Sequence, residues 1–404
     1  MDNTTAHRSD LSTAAVLRLA LAYAVAINGM ILTPFIVSAV TTRFGLTDSA
    51  ATQIAGIEIF GIAVSCALFP RWIARGAHTF SRLGLIGAVL AQAASALAPN
   101  VEVLSIARGL AGLFEGMLFV VVAASVAHRA STDRLWGQIN LAAGILDGAI
   151  LVGISFLPEA VLSRWIFLLL AGLMVAAVLA LRHIGEFALH QRPAHATGSG
   201  AKAPLKLVLA VWIVIVLLYG IQASQWAVAG IVGARVGLSG SMIGILLSLS
   251  SLLGFIGAVV PSQSASRPHR LSIIWTSQLV MVASLVAFFS SAGPLWYLVS
   301  QVVINASLFV VIPFLTGMLS EVDTDGSLVS RSVVITFLGA GGGTVLAGSA
   351  FSELGGMKFA YAMCAAVMAA APFVWLALRS ATAHETGEAC RPRPHELDTP
   401  VAPR

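Results

Sequence analysis

The amino-acid sequence predicts an all-α, polytopic membrane protein in which twelve transmembrane helices form two pseudo-symmetric six-helix bundles. Three observations lead there. Hydrophobic residues make up 58% of the 404 residues and charged residues 10%, against roughly 45–50% and about 25% in soluble chains. The mean hydropathy is +0.91, more apolar surface than water tolerates, so most of the surface must face lipid. The apolar residues also fall into twelve runs, each near the roughly 20 residues a helix needs to cross about 30 Å of hydrocarbon.

The runs are expected at about 15–38, 49–70, 80–98, 101–128, 136–157 and 163–183, then at 206–232, 239–261, 271–291, 294–320, 330–352 and 356–379. The first exceeds a signal-peptide core and lacks a convincing cleavage site, so it is read as retained. Ala, Gly and Leu with interspersed Pro suit lipid-embedded helices, whereas a closed barrel would show short alternating strands.

Six helices precede the longest polar break, a His-, Gly-, Pro- and Ala-rich stretch expected to be a flexible linker. The domain reading is therefore a cytoplasmic segment 1–14, a first bundle 15–183, a linker 184–205, a second bundle 206–379 and a disordered tail 380–404. The halves echo each other: Pro70, Ala74 and His78 recur at one offset as Pro261, Ala265 and His269, and Leu179-Ala180-Leu181-Arg182 recurs as Leu376-Ala377-Leu378-Arg379. Together with the six-plus-six count, this supports duplication of a helical unit.

Lys and Arg fix the expected orientation, because cationic loops stay cytoplasmic. With both termini inside, eighteen lie on the cytoplasmic side, while Arg43, Arg164, Arg235 and Lys358 lie outside. The same dispersal across short loops excludes a basic face for nucleic acid, despite a net charge of +5. Cys66, Cys364 and Cys390 suggest no disulfide framework, and the first two sit in apolar runs as small hydrophobes. His183, His190 and His195 lack metal-ligand spacing. The Gly339, Gly341, Gly342, Gly343 cluster has no following lysine and is read, with Gly112, Gly116, Gly144 and Gly148, as a surface for close helix packing. No metal or cofactor is expected.

Charges inside the spans carry the functional reading. An ionised side chain at the bilayer centre costs about 2.5–3.5 kcal/mol on insertion scales and normally faces protein or water. Four stand out: Glu58, Arg108, Glu115 and Asp147. Arg108 and Glu115 are seven residues apart, hence on one helix face and roughly 10 Å apart along the axis. Arginine stays charged, so Arg108 must find an anion, either Glu58 on a neighbouring helix or a substrate carboxylate. Glu115 and Asp147 have no obvious cation in the sequence, and burial favours the neutral form of a carboxyl, as a proton-coupling group requires. Either acid could also serve as a protonated packing residue. Asn140, Gly144 and Asp147 form a polar line on the fifth helix, which Asn28 of the first helix would face. In the second half Tyr219, Gln222, Gln225 and Trp226 recur at helical spacing, as do Gln301 and Asn305. Such stripes suit a small organic solute, although glutamines and asparagines also simply bond neighbouring helices.

Three local patterns point to a family. After the second helix stands Pro70-Arg71-Trp72-Ile73-Ala74-Arg75-Gly76-Ala77-His78, where one family of carriers has a loop G-x-L-a-D-R-x-G-R-R. The fourth helix holds Arg108-Gly109-Leu110-Ala111-Gly112, of the form R-x-x-x-G, and the sixth opens with Arg164-Trp165-Ile166-Phe167, similar to W-R-W-x-F. Over nearly all of residues 15–379 the chain thus resembles the major facilitator superfamily of secondary transporters. The resemblance implies two bundles rocking around a central site lined by helices 1, 4, 7 and 10, and a gating loop containing Arg71, Arg75 and His78. Ala74 replaces that loop's acidic residue, and Gly144-Ile145-Leu146-Asp147-Gly148 lacks the proline of the family's antiporter signature.

The resulting expectation is a monomeric secondary transporter in a bacterial cytoplasmic membrane. Its partners are protons, a small organic solute and the lipid bilayer. Arg108 and the missing antiporter proline favour symport of an organic anion; three embedded acids against one base favour the alternative, proton-driven efflux of cationic or drug-like solutes. An embedded enzyme would need a constellation such as H-E-x-x-H or G-x-S-x-G, and neither occurs. A channel fits twin halves with asymmetric internal charge less well than alternating access does.

Overall fold

The computed structural model describes residues 11–126, 132–181, 183–188, 203–263, 269–323 and 327–389. Outside them fall most of segment 1–14, linker residues 189–202 with His190 and His195, Ala265, Cys390, and the loop cations Arg8, Arg129, Arg182, Arg192, Lys202, Arg267, Arg391, Arg393 and Arg404. The side chains of Ala74, Arg75 and Arg134 also lie outside the described set.

In the first half the helices are α1 (Thr13–Ile31), α2 (Thr33–Phe44), α3 (Asp48–Leu68), α4 (Pro70–Leu97), α5 (Val101–Val126), α6 (Thr132–Ser155) and α7 (Glu159–Leu181). A short 3-10 turn, Ile184–Ala188, follows. The second half contains α8 (Leu205–Ala227), α9 (Ala229–Arg235), α10 (Gly240–Gly254), α11 (Val259–Ser262), α12 (Arg270–Phe289), α13 (Pro294–Val322), α14 (Ser327–Leu354) and α15 (Gly356–Ala389). Among the described residues there is no strand, and twelve helices are long and apolar enough to cross a membrane.

Local chemistry sets the helix ends. Ser12, Thr47 and Ser239 cap α1, α3 and α10 with side-chain oxygens, and Asn100 Oδ1 accepts from Val103 N–H at 2.9 Å at the start of α5. Pro70 and Pro294 occupy first-turn positions, where the missing N–H costs nothing.

Several expected boundaries move. The first run divides at Leu32, because Pro34 of α2 cannot continue the ladder of α1. The seventh run divides at the matching place, Val228, between α8 and α9. The stretch expected to be a gating loop before residue 80 is helical: α4 starts at Pro70 and leaves helical geometry only at Gly76 (φ −148°, ψ 25°). Within it the Arg71 guanidinium lies 4.3 Å from the Trp72 ring, and the His78 carbonyl accepts from Ser81 Oγ at 2.9 Å. The start of the expected linker is ordered, with buried Ile184 docked on α4 and α5. Helix α15 continues to Ala389, past the expected boundary at 379, since no proline interrupts 380–389.

The duplication is visible in the structure. Arg43, Gly45 and Thr47 close the first span and open the second; Arg235, Gly237 and Ser239 do the same, at one common spacing, for the seventh and eighth. Gly45 and Gly237 sit at φ 63° and 82°, left-handed geometry that favours glycine. The end of the molecule carrying these turns is termed the far end, and the end where the two halves are linked is the linker end.

Within the first half α3, α4 and α5 pack together, with α1 against α5 and α6 and α4 against α7. In the second half α8 packs on α14 and α15, and α12 on α13 and α15. The halves meet where α3 packs on α14 and α6 on α10. Lipid offers helices no hydrophobic reason to associate, so close contact relies on small residues. A Cβ at Gly112 would collide with the Glu58 carbonyl, and one at Gly343 with Gly220. Arg43 fastens α2 to its own half, donating to the carbonyls of Ser95 (3.3 Å), Ala96 (2.9 Å) and Ala98 (2.8 Å) at the end of α4.

Candidate functional site

Between the halves lies a cavity of about 180 Å³. From α6 it receives Asn140, Gly144 and Asp147, the i, i+4, i+7 line of one helical face. Helix α1 supplies Tyr23, Ile27, Met30 and Ile31, helix α8 supplies Tyr219, Gln222 and Trp226, and α13 supplies Asn305 and Phe309. Phe255, Thr33, Ser251 and Thr344 complete the polar and aromatic lining.

Two sets of contacts between the halves bracket this cavity. Toward the far end, Trp226 Nε1 donates to the Ile31 carbonyl at 3.0 Å, Gly348 N–H to Thr52 Oγ1 at 3.1 Å, and Ser155 Oγ to the Ser241 carbonyl at 3.4 Å. Toward the linker end the rings of Phe119 and Phe337 meet edge to face across the two halves, 5.1 Å apart, and within the first half Tyr23 packs on Phe119 and Trp136 behind them.

The polar groups are unequally satisfied. Gln222 Nε2 donates to Asn305 Oδ1 at 3.4 Å, and Asn305 Nδ2 donates to the Ser250 carbonyl at 3.3 Å. Asn140 Nδ2 is occupied by the Trp136 carbonyl at 2.8 Å. Asp147 differs: it is 4% exposed, and its Oδ1 has no hydrogen-bond partner among the described residues. No Lys or Arg lines the cavity among the described residues.

The other embedded charges gather elsewhere, inside the first half. Arg108 of α5 forms an ion pair with Glu58 of α3, and both are fully buried. Its Nη1 donates to Gln92 Oε1 at 2.7 Å, and Gln92 Nε2 donates to Glu115 Oε1 at 2.9 Å. The guanidinium also lies 4.8 Å from the Phe167 ring, a favourable cation–π distance. Arg108, Glu58 and Glu115 do not line the cavity.

The expected site residues thus divide. Asp147, Gln222, Trp226 and Asn305 reach the cavity. Gln225 does not, bonding instead to Gln301 Oε1 at 2.6 Å within the second half. Asn28 is buried, its Oδ1 without a partner among the described residues, but it is not part of the cavity wall. Arg71, Arg75 and His78 lie on α4 at the linker end. Sequence reasoning passes over Gln92, although a glutamine inside an apolar span is itself a signal. It also misses Tyr23, Phe255 and Phe309, because aromatic residues are ordinary members of apolar runs.

Twin bundles around a central cavity define an architecture, and the sequence match assigns it. Residues 19–330 match the Major Facilitator Superfamily. The chain belongs to that superfamily. Solved structures share its fold: a D-xylose-proton symporter has TM-score 0.69 and 14% identity, covering 90% of this chain and 97% of that one. A bacterial homologue of the human lysosomal transporter Spinster, inward-facing and unoccupied, has TM-score 0.66 and 14% identity over 94% and 98%. The human organic anion transporter MFSD10 has TM-score 0.60 and 13% identity over 89% and 98%. No curated protein matches the sequence. As a superfamily member, the chain is an integral membrane secondary transporter, not an enzyme.

Proposed function

We propose that this transporter exchanges protons for a small organic cation, or for a polar aromatic solute bearing an amine. The observation that carries the reading is Asp147, whose carboxylate is nearly buried, partly unpartnered and without a Lys or Arg among the cavity lining residues. Any ammonium would supply the missing charge, and a protonated amine would add the missing donor. Tyr23, Tyr219, Trp226 and Phe255 offer ring faces suited to cations, and the Gln222–Asn305 pair offers amides to a polar tip.

The organic-anion reading loses its support because Arg108, the cation on which it rested, is committed to Glu58 away from the cavity. A single carboxylate that takes either a proton or an ammonium makes the two compete, and competition at one alternately exposed site produces exchange. Glu115 remains a second proton-coupling group on this reading. The cationic loops support placement in a bacterial cytoplasmic membrane with both termini cytoplasmic, and the carrier is proposed to act as a monomer.

Proteoliposomes carrying a pH gradient test the proposal, with a quaternary ammonium as solute because it cannot cross as a neutral base. Exchange concentrates the ion on the acidic side. Concentration on the alkaline side, or transport of organic anions alone, refutes the reading.

A further inference from the structure

Hydrogen bonds around the cavity fix which atom each amide has left for a solute. A backbone carbonyl only accepts. Asn305 must therefore turn Nδ2 to the Ser250 carbonyl at 3.3 Å, which leaves its Oδ1 to accept from Gln222 Nε2 at 3.4 Å. Gln222 Oε1 then has no donor among the described residues. The arrangement is held from behind, since a Cβ at Gly254 would collide with the Asn305 side chain.

Asn140 is oriented by the same rule. Its Nδ2 faces the Trp136 carbonyl at 2.8 Å, and its Oδ1 has no donor among the described residues. With Asp147 Oδ1, three acceptor oxygens on cavity-lining residues are without donors. The hydroxyls of Tyr23 and Tyr219, also in the wall, both donate and accept, so they do not discriminate between solutes.

Two of the three oxygens belong to residues at one depth. Ser248 Oγ of α10 lies against Gly148, the neighbour of Asp147, and the Gln222–Asn305 pair bonds to Ser250 of the same helix. Two residues of α10 correspond to roughly 3 Å of rise. Asp147 and Gln222 thus approach the cavity at similar height from opposite halves. Asn140 is seven residues from Asp147, roughly 10 Å along α6, and its oxygen meets another part of the solute.

We infer that the charged end of the solute carries at least two N–H donors, as a primary ammonium or a guanidinium does, one for Asp147 of the first half and one for Gln222 of the second. The inference rests on the cation reading above and narrows it. Without solute, water serves these oxygens. A primary ammonium replaces the water bonds, whereas a quaternary ion brings the same charge without any N–H and strands the acceptors. Each stranded oxygen lowers affinity by about tenfold. Methyl groups add apolar surface and on that ground alone favour the quaternary ion among the aromatic rings, so preference for the primary amine is diagnostic.

Calorimetric titration of the full chain in lipid nanodiscs near neutral pH, with 2-phenylethylammonium and its N,N,N-trimethyl analogue, tests the inference. The primary ion should bind at least about tenfold more tightly. In Gln222→Met, of similar length, the primary ion should weaken by about tenfold while the quaternary ion keeps its affinity, which also shows that the variant is folded; Gln222→Leu should behave alike. Equal or tighter binding of the quaternary ion to the wild type overturns the inference and leaves the cation reading standing. A preference unchanged in both Gln222 variants, or equal weakening of the two ions, also overturns it. Failure of the cation reading looks different: neither ion binds, or both bind undiminished to Asp147→Asn, and the inference falls with it.

Discussion

Trp226 and Ile31 belong to opposite halves of the molecule, and the indole Nε1 of the first donates to the backbone carbonyl of the second at 3.0 Å. The acceptor is available because α1 ends at Ile31, where the following proline disrupts the backbone ladder. Trp226→Phe keeps an aromatic ring and removes the donor. It should lower stability by about 0.6–1 kcal/mol and increase labelling of a cysteine introduced at Ser38, in the far-end cleft. Unchanged labelling would show that this bond does not hold the far end closed.

Asp147→Asn preserves size and removes the charge. Stabilisation of the protein by quaternary ammonium ions, read as a ligand-dependent thermal shift, should disappear. Retention of the full shift would assign cation binding to another group.

Glu115→Gln retains an amide able to bond within the cluster but cannot release a proton at that position. Expression should be maintained while pH-gradient-driven transport is abolished, with solute counterflow preserved. Driven transport at the wild-type rate would remove Glu115 from coupling.

Glu58→Gln strands a buried guanidinium, and breaking such a pair costs about 3–5 kcal/mol. The double variant Glu58→Gln, Arg108→Gln removes the stranded charge and should recover much of that loss. Thermal unfolding in detergent measures both; equal destabilisation of single and double variants would contradict the pairing.

Gly112→Ala places a methyl against the Glu58 carbonyl, and overpacking of this kind costs about 1–3 kcal/mol. Gly137, which has open space where a methyl would point, is the control: Gly137→Ala should be neutral or mildly stabilising. Thermal unfolding compares the two variants. A neutral Gly112→Ala would mean that α3 and α5 can separate at little cost.

The twelve spans were legible because their length and apolarity follow from bilayer thickness, and the need of Arg108 for an anion followed from its fixed charge. The lateral placement of these groups was not legible. A span surrounded by lipid on one side and apolar protein on the other has little amphipathic contrast, so the sequence did not show whether Arg108 faced the cavity or the bundle interior. The break at Leu32 had a visible cause in Pro34, whereas the break at Val228 has no proline beside it and depends on tertiary packing. The Gln92 bridge needed α4 and α5 side by side, knowledge that helix order alone does not supply.

The grip of Arg43 on three carbonyls at the C-terminal end of α4 and its cap limits how the far end can open. A short segment beyond a helix break looks free to swing as a flap, but this one is riveted to the bundle behind it. Any opening of that side that keeps these three bonds intact carries α2 along with the block behind it, as cargo rather than as an independent door.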